Sequence, residues 1–274
     1  MLTRSATFTA VKYLTYALLM LNVWLFLGEE LGAVQHTFID GVAAGDLIRV
    51  FSATIDTAAW VILLLLFELE TSVLDDSRIQ GWVRRTLHGT RALCYVAIVY
   101  AFTGYWAEMT ALYETALLTG AAACERVGES WSVLVTIDEY VPLSAANCAS
   151  LGSEPVQIGG FPVLAAPEVL QAVRWLAWTD VINAGAWILV VILLEVEVRL
   201  QLRRDLSDHM MRVTKYVKFV LYATLFLAAA YWGVKGDFLD FWDASLWLFA
   251  FIFIELNVFD WQKETSAHAA APAH

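Results

Sequence analysis

Charge is what this chain has least of. Only 16% of its 274 residues are charged, and Lys and Arg number 17 against 28 Asp and Glu, a formal net charge of −11. So few bases exclude a nucleic-acid binder, because phosphate repels an acidic surface. Soluble domains carry about a quarter charged residues; 59% hydrophobic residues and a mean hydropathy of +0.61 therefore exclude one large water-facing fold. Catalytic signatures are missing as well. There is no Gly-rich phosphate loop, His-Glu-x-x-His, Cys-x-x-Cys or Gly-x-Ser-x-Gly. The five histidines are scattered, and none pair at the spacing of haem or copper ligands. No cofactor is expected. Proline is scarce, and four of the five fall in 107–172, so the apolar stretches lack the helix breaks common in secondary transporters.

What is present is six long apolar stretches, near 9–28, 47–70, 91–112, 174–198, 216–234 and 240–259. Each approaches the roughly 20 residues that cross about 30 Å of hydrocarbon. The first follows Arg4 and Lys12 as a signal peptide would, but Gly28, Glu29 and Glu30 offer no small-x-small cleavage site, so it is read as a span. Basic residues collect in alternate connections. Segment 71–91 holds Arg78, Arg84, Arg85 and Arg91, and segment 199–218 holds Arg199, Arg203, Arg204, Arg212, Lys215 and Lys218. The other connections are acidic: 28–46 has Glu29, Glu30, Asp40 and Asp46 with no Lys or Arg, and 107–172 has eight acids against Arg126. This bias predicts an integral membrane protein, of a plasma or bacterial inner membrane, with both termini cytoplasmic. The lipid bilayer is its first partner.

Comparing the chain with itself reveals a threefold pattern, [D/N]-x3-W-x7-E-x-[E/N], in the second, fourth and sixth stretches. It reads Asp56, Trp60, Glu68, Glu70; Asn183, Trp187, Glu195, Glu197; and Asp243, Trp247, Glu255, Asn257. The odd stretches begin [K/R]-x3-Y at Lys12, Arg91 and Lys218. Glu68 to Arg91 and Glu195 to Lys218 are each 23 residues, so length varies only in the outer connections. The expected fold class is an all-α membrane protein of six transmembrane helices, built as three tandem hairpin repeats in a pseudo-threefold bundle. The expected divisions are 1–90, 91–217 with an outer cap near 107–172, 218–264, and a disordered tail at 265–274.

Cys124 and Cys148 lie in the cap, where an oxidising compartment predicts a disulfide worth about 3 kcal/mol. Cys94 lies near the start of the third stretch. Segments 131–141 and 156–164 read as short strands, so the cap is expected to contain some β-structure. As the face on which the hairpins differ, it is the expected contact for a homo-oligomer or membrane-complex partner.

Spacings of 4, 3, 4 and 3 place Asp56, Trp60 and Glu70 on one helical stripe, with Asn183 and Glu197, and Asp243 and Asn257, in equivalent places. No base repeats beside these six, so they are candidates for a cation pathway. Glu68, Glu195 and Glu255 fall on the flank, level with Lys12, Arg91 and Lys218. Six such charges suggest ion pairs between neighbouring helices, because a lone charge in hydrocarbon costs at least about 2.5 to 3.5 kcal/mol. Arg49 is expected to snorkel outward. Asp180 has no counterpart in the other repeats and is a weaker lead. Trp24, Trp106 and Trp232 are read as an interfacial belt. The leading functional expectation is a cation-conducting channel or transporter using intramembrane carboxylates. The alternative is a non-catalytic subunit or scaffold whose cap binds a partner. A metal-dependent membrane enzyme, using Glu-x-Glu as ligands, is third.

Overall fold

Apolar stretches free of proline fold as helices because in lipid each backbone N–H and C=O has to be satisfied within its own segment. The computed structural model describes residues 2–39, 41–70, 80–118, 120–203, 208–235 and 237–253. Its helices are α1 (Leu2–Thr37), α2 (Leu47–Val50), α3 (Ser52–Glu68), α4 (Gly81–Ala111), α5 (Gly120–Glu125), α6 (Pro167–Arg203) and α7 (Asp208–Lys235). A further helix, α8, covers 238–253. Glu255, Asn257, the tail at 265–274 and the linker residues 71–79 and 204–207 lie outside the described residues.

Among the described residues, four helical segments are long and apolar enough to cross a membrane: Thr7–Thr37, Gly81–Ala111, Pro167–Glu197 and Arg212–Lys235. They fit an integral membrane protein, and they are four where the sequence suggests six. The second apolar stretch is divided: Phe51 breaks it into α2 and α3, and the 17 residues of α3 rise only about 26 Å. The first helix, by contrast, runs past the acidic pair Glu29 and Glu30 to Thr37.

Each of α1, α4 and α7 packs against two of the helices that carry the repeated tryptophans. α4 lies between α3 and α6, while α1 meets α3 and α7 meets α6. On its other side α1 meets α8 through Phe8 and Phe253, whose rings are 5.0 Å apart. α7 meets α8 through Tyr222 and Phe251. Leu19, Val61, Leu64, Val190, Leu225 and Ala250 fill the core between these helices. Apolar side chains on the outer faces, such as Leu93, Val96, Phe219 and Phe226, are exposed, as a lipid-facing surface requires.

Between α4 and α6 the chain builds a cap around a mixed five-stranded sheet. Its strands are β1 (Thr115–Leu117), β2 (Ser132–Leu134), β3 (Tyr140–Pro142), β4 (Val156–Ile158) and β5 (Val163–Ala165), in the order β1-β4-β5-β2-β3. All pairs are antiparallel except β2 with β5. The segment 131–141 is therefore a strand and the start of its hairpin partner, with Asp138 in the connection. Cys124 and Cys148 form a disulfide. The cap sits on the ends of the helices: Leu134, Ile137, Val156 and Ile158 share one core with Met109, Val173, Ala228 and Trp232. Pro167 opens α6, where a missing N–H costs nothing.

Candidate functional site

The three repeated tryptophans converge. Trp60, Trp187 and Trp247 form a triangle with ring centroids 6.3, 6.3 and 6.4 Å apart and tilts of 55 to 65°. Edge-to-face packing of this kind is favoured by the ring quadrupoles. Their partners one turn nearer the cap explain the D-x3-W spacing, because residues four apart stack along a helix. The Asp56 carboxylate stands beside the neutral donors Trp60 and Tyr105 in the cavity wall. Asp243 accepts from the Asn22 amide at 2.7 Å and stands beside Trp247. In the remaining copy Asn183 replaces the acid, and its buried Oδ1 has no hydrogen-bond partner among the described residues.

Above the triangle, between the helix ends and the cap, lies a cavity of about 160 Å³. Asp56, Asn183, Asp243 and all three tryptophans line it. So do Glu29 of α1, Glu108 of α4, Asp180 of α6, Asp240 of α8 and Asp138 of the cap. Arg49 is the one basic residue in the lining; its guanidinium lies 4.9 Å above the Phe161 ring instead of reaching outward. Asp180 accepts from the Trp232 indole at 3.2 Å. Trp232 is 3% exposed, whereas Trp24 is 71% exposed, so the former belongs to this site and the latter faces outward.

Not every acid in the wall is available to a ligand. Glu30 caps α3: its carboxylate accepts from the backbone N–H of Ala53 at 2.8 Å and of Thr54 at 3.3 Å, and from the Thr54 hydroxyl. Those N–H groups are orphans of the first helical turn, and a carboxylate there also complements the helix dipole. Asp138, Asp237 and Asp240 each bring a carboxylate oxygen within 4.8 Å of the others, a donor set suited to a hard cation. Asp237, however, also accepts from the Asp240 N–H at the start of α8. Burial and then the Asp237 charge push the Asp138 carboxyl up to about 7. Burial likewise raises the Tyr140 phenol above its ordinary value, with the Glu108 charge adding to the effect.

At the opposite ends of the same helices the acids meet bases. Lys12 donates to Glu68 at 2.6 Å, and the Tyr13 hydroxyl donates to the same oxygen. Arg91 pairs with Glu70 at 2.5 Å, and Lys218 pairs with Glu197. Glu70 and Glu197, placed on the stripe by spacing, are thus the carboxylates that reach the bases of the next helix, each 21 residues away along the chain (91 − 70 and 218 − 197). Glu195, placed on the flank, is exposed. Sequence spacing could not see Glu29, Glu108, Asp138 or Asp240 as site residues, because none of them repeats.

No protein-family model, curated protein or solved structure matches this chain.

Proposed function

We propose that the chain is a cation-transporting membrane protein whose outward-facing cavity collects its substrate from outside. In this reading it consists of three tandem hairpins with six crossings, the short α3 and α8 included, and both termini lie on the cytoplasmic side. Asp56, Asn183 and Asp243 form the binding level, Glu29, Glu108, Asp138, Asp180 and Asp240 the approach, and the tryptophan triangle the closed gate beneath. Glu70 and Glu197 hold helices together and do not line the route. One observation carries this reading: several carboxylates of the wall face a cavity in which Arg49 is the only base. Carboxylates held together without counterions repel one another, and a bound cation relieves that repulsion. The acidic mouth also raises the local concentration of cations.

The test is cation flux into vesicles reconstituted with the purified protein. Wild type should accumulate a permeant cation, and Asp56→Asn with Asp243→Asn should abolish uptake. Undiminished flux in that double variant would overturn the assignment of the cavity as the route.

A further inference from the structure

The chemistry of the cavity floor narrows the class of cation, on the assumption that the cavity does bind one. A hard metal ion is held by six or more converging oxygens, whereas this floor is mostly aromatic. Trp60, Trp187 and Trp247 all border it, and tilted rings present both π-faces and edges. Aromatic faces attract a weakly hydrated organic cation, and aromatic walls such as Phe26 and Phe161 suit its hydrocarbon part.

The hydrogen-bond inventory narrows the class again. Asn22 is 1% exposed, and its amide N–H is directed at Asp243, yet its own Oδ1 has no donor among the described residues. Asn183, which borders the cavity, has a buried Oδ1 in the same condition. A buried acceptor without a donor is costly, and of these two only Asn183 borders the cavity, where its Oδ1 beside the Asp56 and Asp243 carboxylates favours a ligand that donates. A quaternary ammonium brings charge but no N–H. A protonated primary amine brings charge and three N–H donors, which match two carboxylates and an amide oxygen.

We infer that the cavity is a binding site for a protonated primary amine, its ammonium held by Asp56, Asp243 and Asn183 over the three indoles.

The probes are butylammonium, tetramethylammonium, sodium and calcium, titrated calorimetrically against the full chain in lipid nanodiscs. Butylammonium should bind saturably and at least about tenfold more tightly than tetramethylammonium, the difference expected for charge-assisted hydrogen bonds. Asn183→Leu should weaken butylammonium about tenfold and leave tetramethylammonium unchanged. Should that variant misfold, Asp243→Asn provides the second comparison, with both ammonium ions weakened. Calcium or sodium binding without butylammonium would overturn the amine assignment and leave the cation reading standing. Equal affinity for the two ammonium ions would also overturn it. Binding of none of the four would remove both.

Discussion

The two ends of the helical bundle use the same residue types in opposite ways. At the end of the bundle away from the cap, the inner end in the proposed topology, Glu68, Glu70 and Glu197 each meet a base from another helix. Beneath the cap, Asp56, Asp180 and Asp243 have only neutral donors beside them among the described residues: indoles, a phenol and an amide. An acid with a base beside it is held as structure. An acid beside neutral donors has no counterion fixed to it, and the fold places several of those around one cavity. The contrast separates residues that maintain the bundle from residues positioned to act on something else.

Substitutions sharpen this contrast most at the inner end. Lys12 and Glu68 have side chains only 9% and 6% exposed, so Glu68→Gln leaves a buried ammonium unpaired and should cost about 3 to 5 kcal/mol. Asp243→Asn should cost less than about 1 kcal/mol, because asparagine keeps an acceptor for Asn22. Thermal unfolding in nanodiscs compares the two, and equal losses would erase the distinction between the ends. The roof of the cavity is fastened separately. Cys124→Ser with Cys148→Ser opens a loop with a sequence separation of 24, and should cost the cap about 3 kcal/mol. Protease digestion reads the result: the cap should be cleaved while the bundle resists.

A fourth variant probes the wall that carries Arg49. A methyl group on Gly104 would lie 2.5 Å from the Ile48 carbonyl oxygen and 2.8 Å from the Ser52 Cβ. Because backbone cannot give way as a side-chain tip can, Gly104→Ala should cost about 1 to 3 kcal/mol. It should also displace α2 and disturb cation binding while the inner ion pairs remain intact. Tryptophan fluorescence and binding measured on the same sample test both effects.

How far these contrasts were legible beforehand depended on repetition. The [D/N]-x3-W spacing identified Asp56, Asn183 and Asp243 because it repeats in three stretches and residues four apart share one face of a helix. The [K/R]-x3-Y signature likewise marked Lys12, Arg91 and Lys218 as bases seeking partners. Assigning each base its acid was harder, since Glu68 and Glu70 sit two residues apart and either could turn toward a neighbouring helix. Asp138 and Glu108 could not be found at all. One stands in a hairpin of the cap and the other in α4, and only tertiary packing brings them to the same cavity. Trp232 looked like a belt residue because its burial against Asp180 depends on how α7 packs on α6.

The smallest expected effect is a pH dependence in the cap. The folded protein holds the Asp138 carboxyl up at about 7, above its ordinary 3.8, so it binds a proton more tightly than the unfolded chain does. Stability from this group is therefore complete below about 3.8 and is lost as pH rises toward 7. Cap stability should fall across that window, and Asp138→Asn should flatten the profile. A profile already flat in wild type would place the Asp138 charge outside the buried cluster.

The most direct test is calorimetric titration of butylammonium into nanodisc-embedded protein carrying Asp56→Asn with Asp243→Asn, beside protein carrying Glu70→Gln. The account predicts that the outer pair of substitutions removes the binding heat and that the inner substitution leaves it as in wild type. Binding that survives the outer substitutions, or disappears with the inner one, would contradict it.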